Sequence, residues 1–123
     1  TACGELLRLI IAHEVPLSRV AFLGFSQGSV IASWIALQLP QACAGLVMLS
    51  GGCRDELKIC GLAKQTPVLY HTGASDEVVP PLVTRSCCER LRQSGMHVDY
   101  FEHTGLGHMV SDKELQAVLV FLK

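Results

Sequence analysis

Val20-Ala21-Phe22-Leu23-Gly24-Phe25-Ser26-Gln27-Gly28-Ser29-Val30-Ile31-Ala32-Ser33-Trp34 is the stretch from which the rest of the chain is read. Residues 20–25 form a continuous apolar run of strand length. Such a run predicts a strand buried on both faces, as in a parallel sheet. Residues 27–39 carry Val30, Ile31, Trp34, Ile35 and Leu37 almost all round, which predicts a helix covered on most sides and stopped by Pro40. Gly28, Ala32 and Ala36 recur every four residues along it, a small-residue stripe that would let the helix approach a sheet closely. A buried strand that runs straight into a helix is the signature of an α/β domain.

Outward from this stretch the same alternation continues. Residues 2–14 predict an amphipathic helix with Cys3, Leu6, Leu7 and Ile10 on one face, and Pro16 bars its continuation. Residues 45–49 predict a second strand, and residues 50–66 a loop with at most one short helical turn. Residues 67–71 predict a third strand, ended by Gly73. Residues 82–94 predict a helix closed by Gly95. Residues 98–102 predict a fourth strand, more polar than the others and so placed at a sheet edge. Ser111 and Glu114 make a capping box, and the helix behind it carries Leu115, Val118, Leu119 and Leu122 at helical spacing. Strands joined by helices imply a mostly parallel sheet with flanking helices in a single α/β domain, residues 1–123.

Composition narrows the function. The 123 residues are 50% hydrophobic and 17% charged, which excludes a disordered chain. A net charge of −1 with no basic block argues against a nucleic-acid partner. No apolar run approaches the ~20 residues of a membrane span, so stable membrane insertion is not expected. Six cysteines stand at positions 3, 43, 53, 60, 87 and 88. There is no C-x-x-C, Cys53 and Cys60 are wrongly spaced for a zinc knuckle, and Cys87-Cys88 are neighbours within a predicted helix. Free thiols in a reducing compartment are therefore expected.

Gly24-Phe25-Ser26-Gln27-Gly28 fits the pattern G-x-S-x-G. The pattern alone turns up in roughly 4% of chains this long. Its position, closing a buried strand and opening a helix, is where a nucleophile elbow lies. The glycines at 24 and 28 would let the backbone fold back and raise the Ser26 hydroxyl above the sheet. The Gln27 N–H at the helix start would then face a developing oxyanion. A serine hydroxyl needs a base to take its proton and a carboxylate to orient that base, in the chain order Ser, Asp/Glu, His. Among five histidines, His108 lies in the glycine-rich loop between the fourth strand and the last helix, the required place; His103 is the reserve. Asp76, just past the third strand, is the expected carboxylate ahead of Glu77, Asp55, Glu56 and Asp99.

With Leu49-Ser50-Gly51, Gly73-x-x-Asp76-x-x-Val79-Pro80 and Gly105-Leu106-Gly107-His108 in order behind the serine motif, the chain resembles the acyl-protein thioesterases and related carboxylesterases of the α/β-hydrolase fold. The resemblance covers nearly the whole chain. It implies Ser26, Asp76 and His108 as nucleophile, acid and base, no metal or cofactor, and a cytoplasmic enzyme. Its substrate would be an acylated protein or a small acyl ester. Family members are close to twice as long, so the resemblance also implies a preceding half that carries the first strands and a second oxyanion N–H. The four strands here would be the last four of the fold, lying side by side. The 123 residues alone would then expose the edge of strand 20–25 and self-associate through it. A non-catalytic interaction module and a peptidase on the same fold are the alternative readings.

Overall fold

The computed structural model describes residues 2–123, with the side chains of residues 2, 3, 6, 7 and 11 outside that description. The elements follow in the order α1 (Ala2–Ala12), a 3₁₀ turn (Leu17–Arg19), β1 (Ala21–Phe25), α2 (Gln27–Gln38), β2 (Gly45–Leu49), a second 3₁₀ turn (Gly61–Gln65), β3 (Val68–Gly73), α3 (Pro81–Gln93), β4 (Val98–His103) and α4 (Asp112–Phe121). The four strands form one sheet in the order β1-β2-β3-β4, and every neighbouring pair is parallel. Of the face expected on α1, Cys3, Leu6 and Leu7 fall outside the described side chains, and Ile10 packs against the core.

β2 and β3 are buried along their whole length, as their continuous apolar runs require. On one face of the sheet Phe22, Leu46, Met48, Val68, Tyr70 and Val98 pack with the apolar sides of α2 and α3. On the other, Val47, Leu49 and Leu69 meet Val118 of α4, with Val110, Ala117 and Phe121 around them. β4 is an edge strand, as its polarity predicts, with Asp99 and Phe101 exposed.

Four expectations are corrected. β1 is not buried on both faces. It lies at the other edge of the sheet, with Leu23 52% and Phe25 40% exposed, because no α-helix among the described residues covers that side. α2 likewise leaves Ile31 and Trp34 exposed on its outer face. The inward face of α4 is not the leucine stripe. Leu115, Leu119 and Leu122 are exposed, while Glu114 and Val118 are buried and Phe121 lies against Gly45. A Cβ at Gly45 would stand 2.6 Å from that ring, so the glycine makes the seat that sets the helix's rotation. Finally, Cys53 and Cys87 are joined in a disulfide. Adjacent helical residues point about 100° apart. Cys87 therefore reaches the loop after β2 while Cys88 turns into the core as a free, buried thiol, along with Cys43; Cys60 is free and exposed.

Candidate active site

The turn between β1 and α2 begins from a steric demand. A Cβ on Gly24 would overlap the carbonyl of Gly28, so only glycine fits there. Gly28 itself has open space around its Cα, so of the two motif glycines only Gly24 is sterically required within this chain. Ser26 then takes φ 57° and ψ −117°, a left-handed conformation that non-glycine residues rarely adopt. Its N–H donates to the Leu49 carbonyl at 2.9 Å and its carbonyl accepts from Ser29 at 3.1 Å, so neighbouring backbone holds the strained turn. Gln27 is the first residue of α2, which places its N–H among the unpaired donors of a helix start.

The sequence-predicted residues come together. His108 Nε2 lies 3.0 Å from Ser26 Oγ, and His108 Nδ1 lies 2.7 Å from Asp76 Oδ2. In the tautomer this chain of contacts requires, Ser26 Oγ–H donates to Nε2 and Nδ1–H donates to the carboxylate. The other carboxylate oxygen, Oδ1, accepts from the N–H groups of Val78 at 2.9 Å and Val79 at 2.8 Å. Asp76 is therefore buried with both oxygens satisfied. Burial by itself would push its pKa up; the His108 hydrogen bond and the two N–H groups outweigh that and hold it below the usual aspartate value. Phe25 flanks the imidazole, ring centre to ring centre 4.9 Å.

The loops that carry Asp76 and His108 are fastened to each other. Ala74 N–H donates to the His103 carbonyl and Ser75 N–H to the Leu106 carbonyl, both at 2.9 Å. A Cβ on Gly73 would strike the carbonyls of Leu106 and Gly107. Gly51 stands in the same relation to the Ser26 carbonyl. Ser50, buried and at φ 52°, ties β2 to β3 through its N–H on the His71 carbonyl. These close approaches are absent from the sequence reading. Their one sequence signal is that Gly73 ends a strand and Gly51 follows one by two residues.

The competing groups are placed elsewhere. His13 is exposed at the end of α1, and His97 is exposed and paired with Asp99 at 3.2 Å. His103 Nε2 lies 2.6 Å from His71 Nδ1, with the two rings stacked. Burial, and next to it His103, pull the His71 pKa down to about 4. Asp55, Glu56 and Glu77 are exposed and unconnected to His108 in the hydrogen-bond network. Cys53, beside Gly51-Gly52, is held in its bridge to α3 and accepts from Arg90 Nη2 at 3.3 Å.

Known proteins resemble this chain over nearly its whole length. A probable carboxylesterase of Oryza sativa subsp. japonica is 31% identical over 123 residues, covering 97% of this chain and 52% of the relative. Acyl-protein thioesterase 1 of Neurospora crassa is 28% identical, covering 96% and 51%. The chain thus spans about half the length of these relatives. Among solved structures, SOBER1 of Arabidopsis thaliana superposes with a TM-score of 0.87 at 25% identity, covering 96% of this chain and 58% of that one. A phospholipase/carboxylesterase from Dyadobacter fermentans superposes with a TM-score of 0.84 at 30% identity, covering 98% and 60%. The family model described as phospholipase/carboxylesterase matches residues 1–123. A parallel α/β sheet with an elbow serine in contact with His108, itself in contact with Asp76, matched end to end by that model, makes this chain a member of the phospholipase/carboxylesterase family of α/β-hydrolases.

Proposed function

We propose that this chain carries the catalytic residues of a serine hydrolase that cleaves acyl thioesters or carboxylic esters through an acyl-enzyme. The observation that carries the reading is the Ser26–His108–Asp76 chain of contacts at 3.0 and 2.7 Å on a left-handed serine. As Ser26 Oγ attacks the acyl carbonyl, its proton passes to His108 Nε2. The Gln27 N–H meets the negative charge that gathers on the carbonyl oxygen. Collapse of the tetrahedral adduct breaks the C–S or C–O bond, and the imidazolium returns its proton to the leaving thiol or alcohol. Water, deprotonated by His108, then attacks the acyl-serine; the carboxylic acid departs and Ser26 recovers its proton. Asp76 never needs to be protonated. It holds Nδ1–H in place and stabilises the charged ring.

The substrates proposed are acylated proteins or small acyl esters, with no nucleic-acid partner. No helix among the described residues is long and apolar enough to cross a membrane. A cytoplasmic site of action is proposed on family resemblance alone, because the Cys53–Cys87 bridge takes away the free-thiol argument. A fluorophosphonate probe tests the mechanism. It should label Ser26 in the complete protein, fail on Ser26→Ala and label His108→Ala far more slowly. An unlabelled wild-type protein would instead favour the non-catalytic module. Faster turnover of peptides than of acyl thioesters would favour the peptidase.

A further inference from the structure

Between β3, β4 and the start of α4 lies a second cluster of chemistry-bearing side chains that the hydrolytic reading does not use. It comprises His71, His103 and Glu114. One ring nitrogen from each histidine and a carboxylate oxygen of Glu114 all lie within 4.8 Å of one another. His71 is 3% exposed and Glu114 fully buried. Glu114 Oε1 accepts from the Ser111 N–H at 2.8 Å, completing the cap of α4. Glu114 Oε2 has no partner, and neither has His71 Nε2, although both atoms are buried. Buried carboxylate oxygens are normally hydrogen-bonded, ion-paired or bound to a metal, since burial strips the water that would otherwise solvate them. No Lys or Arg pairs with Glu114 among the described residues.

We propose that His71, His103 and Glu114 form a binding site for a divalent transition ion, zinc foremost. Two imidazoles and one carboxylate are a donor set suited to Zn²⁺, with a fourth position left for water. Tetrahedral bonds of about 2.0–2.2 Å place ligand atoms roughly 3.3–3.5 Å apart. With His71 Nδ1 and His103 Nε2 as the donors, now 2.6 Å apart, the two rings would open by less than an ångström, and His71 Nε2 would stay outside the coordination shell. The Glu114 carboxylate would close the remainder by rotating about its own side-chain bonds. His103 also lines a solvent-open cavity of about 590 Å³ with Thr104, Gly105, Leu106 and Ser111, so the cluster meets solvent at that one ligand. The ligands come from either side of residues 104–113, so the ion would clamp at both ends the segment that holds His108.

The experiment is a calorimetric titration of metal-stripped complete protein with ZnCl₂, repeated with Co²⁺ and read by visible absorption. One equivalent should bind and raise the unfolding temperature, and the cobalt spectrum should be four-coordinate without a thiolate charge-transfer band. Glu114→Gln keeps an acceptor for the Ser111 N–H, so the α4 cap survives while the anionic ligand is gone. This variant and His103→Ala should each weaken binding at least about tenfold, the lower end of what losing even an outer partner of a ligand costs. Ser26→Ala should bind as the wild type does, which separates this site from the triad and keeps the test independent of the hydrolase reading. Absence of saturable binding would leave His71 and His103 as a plain hydrogen-bonded pair and overturn the proposal. So would binding that survives Glu114→Gln and His103→Ala, or a sulfur-ligated cobalt spectrum pointing to Cys60.

Discussion

Ser26, His108 and Asp76 are three side chains whose value depends on being together. Ser26→Ala is expected to lower turnover in the complete protein by about 10⁴- to 10⁶-fold with the fold unchanged, checked by steady-state kinetics beside circular dichroism. Because the pair acts as one unit, the Ser26→Ala/His108→Ala double variant should be about as slow as either single one; additive losses would separate their roles. Asp76→Asn should cost about 10⁴-fold in turnover by letting the imidazole take the wrong tautomer. It should also change acid stability in a defined direction. The native carboxylate titrates below its unfolded value of ~3.9, so its stabilisation is complete above that pH and disappears as pH falls through the lower native value. Urea unfolding of wild type and Asp76→Asn should therefore differ by a constant amount from neutral pH down to about pH 5. The gap should narrow below about pH 4. A gap that widened on acidification would contradict the hydrogen-bond pattern around Asp76.

At the scale of elements, the disulfide between the loop after β2 and α3 is the main addition to the helix-on-sheet packing. It closes a loop with a sequence separation of 34 residues, and chain-entropy arithmetic assigns such a link on the order of 3–4 kcal/mol. Cys53→Ala should lower unfolding stability by about that much. A non-reducing digest should yield the Cys53 and Cys87 peptides joined. Recovery of both as alkylated free thiols from protein kept oxidised would remove the bridge and return the thiol argument for a reducing compartment. The same loop carries Arg54 over the Trp34 ring at 4.2 Å and receives Arg90 on the carbonyls of Arg54 and Asp55, so its position does not rest on sulfur alone. Both hold at the surface, where such contacts contribute about 0.5–1 kcal/mol each. The bridge is therefore the larger contribution.

At the scale of the whole molecule, β1 has one neighbouring strand among the described residues, β2, and presents its other edge, with Leu23 and Phe25 exposed on the strand and Ile31 and Trp34 exposed on α2. An unpaired apolar edge is a template for pairing with another chain. The 123 residues expressed alone are expected to form dimers or larger species by light scattering. Their esterase activity should be weak and should rise when the segment that precedes them in a longer protein is supplied. The second oxyanion donor implied by the family resemblance would lie in that segment, and one such donor is worth about 10²- to 10³-fold in turnover. A monodisperse monomer of these residues, as active as the longer protein, would contradict both expectations. Leu115, Leu119 and Leu122 on the outer face of α4 add a further apolar surface that the association experiment would also report.

Local physics determined much of this protein before any fold was known. Continuous apolar runs distinguish buried parallel strands from amphipathic ones; Pro16 and Pro40 bar helix by fixing φ and lacking an N–H, and Gly95 ends its helix by taking a positive φ that other residues avoid. G-x-S-x-G at a strand-to-helix junction singled out Ser26 because the turn itself demands small residues. Chain order then led to Asp76 and His108, which the structure brings to it. Tertiary structure decided what depends on neighbours distant in sequence. The edge position of β1 was hidden because an apolar run reads the same whether its second face is covered or open. The rotation of α4 depended on Gly45 seating Phe121, a contact across a sequence separation of 76. Pairing of Cys53 with Cys87 rather than Cys88 depended on which side of α3 faces the loop. The His71–His103–Glu114 cluster has no sequence motif at all. Parallel register sets Gly73 beside His103, and the cap of α4 turns Glu114 inward, so three separate segments converge only once the sheet has formed.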